Sequence, residues 1–141
     1  MAKQPLVYLA LDSQDKAVAD ILRVHLEHAG FKCLDRRHVK PLMNEESDIE
    51  GTMDDCDSLI VIDSPAFRSH DPNFELKFAQ EMDKPLIVIS LNYAIDESKS
   101  TRRVKLFDFT KPQHRAWEVL IKTIIELTRE ATSESHQGFL F

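Results

Sequence analysis

The sequence predicts an α/β fold, a parallel sheet with helices on both faces. Three observations point there. Short apolar runs rich in β-branched residues, such as Leu59-Ile60-Val61-Ile62, have the length of strands but lack alternation, which suits strands covered on both sides. Between these runs, apolar residues recur at helical spacing. Strand and helix alternate about five times along the chain, and such alternation calls for parallel strands joined by right-handed crossovers.

Leu6 to Leu11 is the first strand. Asp12 and Ser13 end it, and Ser13 is placed to cap the next helix. That helix, Asp15 to Ala29, carries Val18, Ile21, Leu22, His25, Leu26 and Ala29 on one stripe, and Gly30 stops it. Phe31 to Leu34 is the second strand. The segment from Asp35 to Glu46 reads as a long loop, basic at its start and acidic at its end. Ser47 and Glu50 form a capping box for a short helix bearing Ile49, Met53 and Cys56, which Gly51 weakens. The third strand, Ser58 to Ile62, runs into a polar loop. Asp71-Pro72 then starts a helix that reaches Met82, because Asp caps free N–H groups and Pro fits the first helical turn. Lys84-Pro85 introduces a fourth strand, Leu86 to Leu91. Asn92 to Arg103 has no clear period and reads as a loop or a frayed helix. Val104 to Phe109 alternates apolar and charged residues, as in an edge strand with one wetter face. Pro112 to Thr132 is a long helix with Trp117, Leu120, Ile121, Ile124, Ile125 and Thr128 inward. Residues 1–132 thus form one domain. Residues 133–141 form a tail ending in Phe139-Leu140-Phe141, expected to be flexible or to dock on a partner protein.

The bulk numbers narrow the function. A chain of 141 residues, 43% hydrophobic and 30% charged, is an ordinary globular domain with a real core. A net charge of −6 argues against a nucleic-acid backbone as partner. No run approaches the roughly 18 apolar residues of a membrane span, and the N-terminus has no signal-peptide pattern, so the expectation is a cytoplasmic protein with no membrane attachment. Cys33 and Cys56 are expected to be reduced core residues.

Chemistry concentrates at one carboxylate. At roughly 100° per residue, Phe74, Phe78, Met82 and Ala79 fall on an arc about 140° wide. Glu75 falls inside that arc, between Met82 and Ala79. A carboxylate within an apolar face, one turn into a helix, breaks the local rule, and such breaks are expected at functional sites. Burial raises its pKa and the helix N-terminus lowers it. The competing reading is a face only partly covered, with Glu75 reaching solvent at its end. In a parallel sheet, ligands bind outside the C-terminal strand ends. Those ends bring Asp12, Ser13, Arg36, Arg37, Asp63, Ser64 and Glu75 to one edge.

Other chemistries find little support. There is no GxGxxG and no GxxxxGK[ST], and three glycines in all, which argues against a dinucleotide fingerprint or a P-loop. Asp54, Asp55 and Asp57 read as a solvated helix end, and His25 with His28 lacks a third ligand, so no metal is expected. Ser64 has no histidine placed to activate it. A single glutamate without a metal suits cleavage at an anomeric carbon, where the transition state is oxocarbenium-like.

The residues resemble the Toll/interleukin receptor (TIR) domain family in its bacterial style, from about Leu6 to Thr132. The matching pieces are Tyr8-Leu9-Ala10-Leu11-Asp12-Ser13-Gln14-Asp15, Gly30 to Arg37, Leu59 to Pro65, Ser69, Glu75-Leu76 and Lys84-Pro85-Leu86-Ile87-Val88. The resemblance implies a flavodoxin-like five-stranded parallel sheet. It implies cleavage of NAD+, as substrate rather than cofactor, at the nicotinamide–ribose bond. The products would be ADP-ribose or a cyclic relative, often in antiphage defence. Glu75 corresponds to the family's required glutamate. Leu11, Asp12, Ser13, Arg36, Ser64, Phe67 and Asp71 are then the expected substrate contacts. Residues 38–46 correspond to the BB loop, through which members self-associate and complete a neighbour's pocket. Ala10, Leu11 and Asp71-Pro72 stand where catalytic members tend to carry Ser, an aromatic residue and Trp-Cys, which leaves Phe67 or Tyr93 to supply a stacking ring. Two rival functions accompany this one: a non-catalytic TIR interaction module, and a nucleoside deoxyribosyltransferase-like enzyme sharing the sheet and a catalytic glutamate.

Overall fold

In the computed structural model, which describes residues 4–111 and 115–138, five strands form one all-parallel sheet. They are β1 (Leu6–Ala10), β2 (Lys32–Leu34), β3 (Ser58–Asp63), β4 (Leu86–Ser90) and β5 (Val104–Asp108), in the order β2-β1-β3-β4-β5. The chain steps outward from β1 to β2, then returns past β1 to add the remaining strands on the other side. The winding direction therefore reverses between β1 and β3, which is where open α/β sheets hold their ligands.

The helices are α1 (Lys16–His28), α2 (Glu45–Asp54), α3 (Pro65–Arg68), α4 (Phe74–Glu81) and α5 (Ala116–Gly138). Side-chain alternation along the strands divides the core between the two faces. Val7, Leu9, Ile60, Ile62, Ile87 and Ile89 pack with Leu22 and Leu26 of α1 and Leu120 and Ile124 of α5. Tyr8, Ala10, Leu59 and Val61 point the other way, against Ile49 and Met53 of α2, Phe67 of α3, and Phe78 and Ala79 of α4. Both faces are covered, as the continuous apolar runs require. β5 is partly exposed along its whole length, which matches the edge position read from its alternation. Two polar positions inside satisfy each other: Ser58 of β3 and Thr128 of α5 share a hydrogen bond of 2.8 Å.

Several boundaries differ from expectation, each for a local reason. Asp12, not Ser13, makes the first cap: its carboxylate accepts the Gln14 N–H at 2.8 Å and opens a 3-10 turn, Ser13–Asp15, ahead of α1. Asn44 displaces the Ser47–Glu50 capping box, since its side chain takes the Ser47 N–H at 2.9 Å and starts α2 at Glu45. The polar loop after β3 contains α3, capped by Ser64 with Pro65 in its first turn. α4 begins at Phe74 rather than Asp71, because the Asn73 side chain accepts the Leu76 N–H at 3.0 Å. Ile21, assigned by spacing to the inward stripe of α1, is 44% exposed. α5 continues past Thr132 to Gly138. The docking segment proposed at Phe139–Phe141 lies outside the described residues. Gly30 ends α1 with a φ of +93°, the left-handed conformation that a helix stop of this kind uses.

Candidate functional site

β1 carries Tyr8 on the face that packs against α4, and the helical phase of α4 turns Glu75 back toward it. The Asn73 cap sets that phase. Its amide also donates to the Phe67 carbonyl at 2.8 Å, which ties the start of α4 to α3. The outcome is a carboxylate 1% exposed, with the Tyr8 hydroxyl donating to its Oε2 at 2.6 Å. Its Oε1 is buried and accepts no hydrogen bond among the described residues. The nearest cation is the Arg36 guanidinium, whose Nε lies 3.8 Å from Oε1, beyond hydrogen-bond reach. Burial pushes the Glu75 carboxyl above the ordinary glutamate range, against the pull of the Tyr8 hydroxyl, Arg36 and His70. Burial and the adjacent carboxylate push the Tyr8 phenol up as well, so it stays a donor. Of the two readings of Glu75, the structure gives the buried one.

Arg36 belongs to a 3-10 turn, Arg36–His38, that follows β2. Asp35 builds this turn. Its carboxylate accepts the Arg37 N–H at 2.9 Å, the Arg37 side chain at 2.7 Å and Arg23 of α1 at 2.7 Å. Burial works against an ionised Asp35, but the hydrogen bonds from Arg37 and Arg23 outweigh it and hold the carboxyl well below the usual range. On the other side of Arg36, its guanidinium reaches Glu45 of α2 at 3.2 Å. Arg36 is thus shared between the buried Glu75 and the first turn of α2.

A cavity of about 450 Å³ opens beside this turn, at the C-terminal ends of β1 and β2. Leu11, Asp12 and Ser13 form one wall, Lys16, Asp20 and Arg23 of α1 another, and Arg36, Arg37 and His70 the rest. Its size lies within the range of small-molecule sites. In a chain of net charge −6, the four cations Lys16, Arg23, Arg36 and Arg37 outnumber the acids Asp12, Asp20 and Asp35. Asp35 occupies Arg23 and Arg37, while Lys16 has no ion-pair partner among the described residues. His70 Nε2 lies 2.7 Å from Asp12 Oδ1, and the Phe67 ring supports the imidazole from 5.7 Å. The backbone N–H of Gln14, and then His70, hold Asp12 below the usual carboxylate range.

The structure brings Leu11, Asp12, Ser13 and Arg36 together around the cavity, with Glu75 buried next to Arg36. It does not bring the other candidates to the lining. Ser64 is 2% exposed, caps α3 and donates to Asp15 at 2.5 Å. Phe67 is fully buried, so it supports His70 instead of stacking on a ligand. Asp71 is exposed on the loop before α4, and Tyr93 lies away from the lining after β4. Asp63 is held by Arg68 through two hydrogen bonds of 2.7 and 2.8 Å. Sequence reasoning missed Tyr8, His70 and Asp35 as members of the site. Tyr8 left one trace, a hydroxyl in the middle of an otherwise apolar strand, which demands a partner when buried.

A larger hollow, about 730 Å³, lies at the N-terminal edge of the sheet. Two of its cations serve the backbone, Lys84 donating to the carbonyls of Asp54 and Cys56, both at 2.6 Å, and Arg103 to those of Met82 and Lys84, while Arg102 pairs with Glu130 at 3.5 Å. That edge is opposite the one where such sheets bind ligands. The thiols of Cys33 and Cys56 are free and buried in different core clusters, and burial pushes them up to about 11 and about 12. Neither has the exposure or the low pKa of a nucleophile.

A sequence model of the TIR domain family matches residues 7–123 of the chain. No curated protein matches it.

Proposed function

Because this chain belongs to the TIR domain family, we propose that it cleaves the bond between nicotinamide and ribose in NAD+, with Glu75 as the essential carboxylate. The observation that carries this reading is the buried Glu75, one oxygen held and the other unbonded, next to a cavity where cations outnumber acids. Lys16 and Arg36 suit the diphosphate of a dinucleotide. Nicotinamide leaves with the bonding electron pair, and the positive charge passes to the anomeric carbon and ring oxygen of the ribose. A carboxylate in low dielectric stabilises that cation strongly. Water then adds to give ADP-ribose and a proton, or an adenine nitrogen adds to give a cyclic product. Glu75 meets the ribose once Arg36, 42% exposed on its side chain and salt-bridged at both ends, swings aside. In this reading the domain is a cytoplasmic bacterial enzyme of antiphage defence. Its BB loop, residues 38–46, joins copies of the chain, and Phe139–Phe141 serve a partner protein.

The test is incubation of concentrated protein with NAD+, with and without a crowding agent, followed by mass spectrometry of the products. Nicotinamide release is expected from the wild type and to drop about a hundredfold or more in Glu75→Gln. Equal release from both proteins defeats the assignment.

A second reading, a non-catalytic interaction module, rests on two observations. No Phe, Tyr or Trp lines the cavity among the described residues, and Leu42 and Met43 of the BB loop are 81% and 82% exposed. Assemblies that persist in Glu75→Gln, with no turnover under any condition, would favour it.

A further inference from the structure

We propose that Tyr8 is a positioning residue, whose hydroxyl holds Oε2 of Glu75 so that Oε1 is the oxygen offered to the substrate. The proposal rests on the catalytic reading of Glu75 given above. Its geometry is independent of that reading. The Tyr8 side chain is fully buried in β1, Glu75 is 1% exposed in α4, and their 2.6 Å bond is the one hydrogen bond the carboxylate makes among the described residues. A phenylalanine at this position would fill nearly the same space and pack the same cluster. The hydroxyl therefore contributes chemistry rather than volume.

A buried glutamate that is to stabilise a cation needs a fixed orientation. Its side chain has three rotatable bonds, and both carboxylate oxygens are equivalent until something distinguishes them. A donor on Oε2 removes that equivalence and fixes the plane of the group. It also favours the charged form, which a cation-stabilising role requires. The other charged groups near the carboxylate are Arg36 and Asp35 at the end of β2 and His70 before α4. Arg36 and His70 favour the carboxylate and Asp35 opposes it, but none of them bonds it. Tyr8 alone does so, and it comes from β1, a strand paired on both sides and next to the switch point.

The experiment reads the carboxyl directly. Protein labelled with carbon-13 at glutamate carboxyls is titrated by NMR, and Glu75→Gln identifies the resonance. Tyr8→Phe should move the Glu75 midpoint up. Tyr8 and Tyr93 are the two tyrosines of the chain, so a Tyr93→Phe protein grown on a fluorinated tyrosine carries the analogue at position 8 alone. Fluorination leaves the ring nearly isosteric and makes the hydroxyl a stronger donor, so the midpoint should move down. Opposite shifts from two variants of one side chain are not a signature of packing. In turnover of NAD+ at neutral pH, Tyr8→Phe should lower kcat about tenfold with KM little changed, and its acid limb should move up with the midpoint. An unmoved midpoint in Tyr8→Phe, or shifts of the same sign in both variants, overturns the proposal, and the fluorinated protein gives that answer even should Tyr8→Phe fail to fold. Opposite shifts in a protein that releases no nicotinamide would instead overturn the catalytic reading and leave the Tyr8–Glu75 bond standing.

Discussion

Glu75 works against the fold at neutral pH. Its folded pKa is raised by burial, so the native state holds the proton more tightly than the unfolded chain does. The stability tied to that proton is complete below the unfolded value, about 4.3, and is lost as pH rises through the folded value. Glu75→Gln keeps the shape and removes the titration. Urea unfolding of both proteins across acid to neutral pH should therefore show the variant gaining on the wild type as pH rises above about 4.3. Parallel curves would mean that the Tyr8 hydroxyl, Arg36 and His70 together offset the effect of burial on Glu75. This residue was legible in the sequence because a charge inside an apolar arc is conspicuous. Tyr8 was not, because tyrosine in an apolar run passes for core, and its partner depends on how α4 is rotated against β1. His70 was hidden for the same reason: its contact with Asp12 joins loops 58 residues apart in sequence.

The elements themselves were largely readable, since apolar period decides strand or helix and both faces of this sheet are covered. The caps were not. Asp12, Asn44, Ser64 and Asn73 each start a helical segment, and near each stands another residue of capping type. Composition alone cannot choose between neighbours such as Asp71 and Asn73; the path of the preceding loop does. Ser64-Pro65 did announce α3, as a cap followed by proline in the first turn, and its placement in a loop missed that signal. The choice of cap matters to the site because Glu75 is the second residue of α4. Asn73→Ala removes the cap on the Leu76 N–H and the bond to the Phe67 carbonyl. The expected loss is about 2 kcal/mol, with Tm lower by about 6 °C. Asp71→Ala should leave Tm nearly unchanged, because Asp71 is exposed and makes no hydrogen bond among the described residues. The reverse ranking in thermal unfolding would restore Asp71 as the cap.

At the scale of the molecule, the net charge of −6 repels like copies, so association needs a local surface that overrides it. The loop before α2 has the makings of one. The Asp48 carboxylate accepts the N–H groups of Leu42 and Met43, both at 3.0 Å, which holds the tip in a fixed shape. That shape presents two large apolar side chains 81% and 82% exposed, between basic His38 and Lys40 and acidic Glu45 and Glu46. A patch carrying both signs can meet a second copy of itself, or a groove elsewhere on it, with opposite charges facing. Bulk repulsion is screened within about 8 Å at physiological salt, whereas apolar contact is not. Nicotinamide release per molecule should therefore rise with protein concentration, and more steeply in moderate salt than in dilute buffer. A Leu42→Glu, Met43→Glu double variant should lose that rise and run as a monomer in analytical ultracentrifugation. At high concentration its activity should lie about tenfold below that of wild type at the same concentration, while Tm stays within about 1 °C, because neither side chain is packed in the core. Specific activity independent of concentration in the wild type would remove the loop from the mechanism and leave the cavity to act within a single copy.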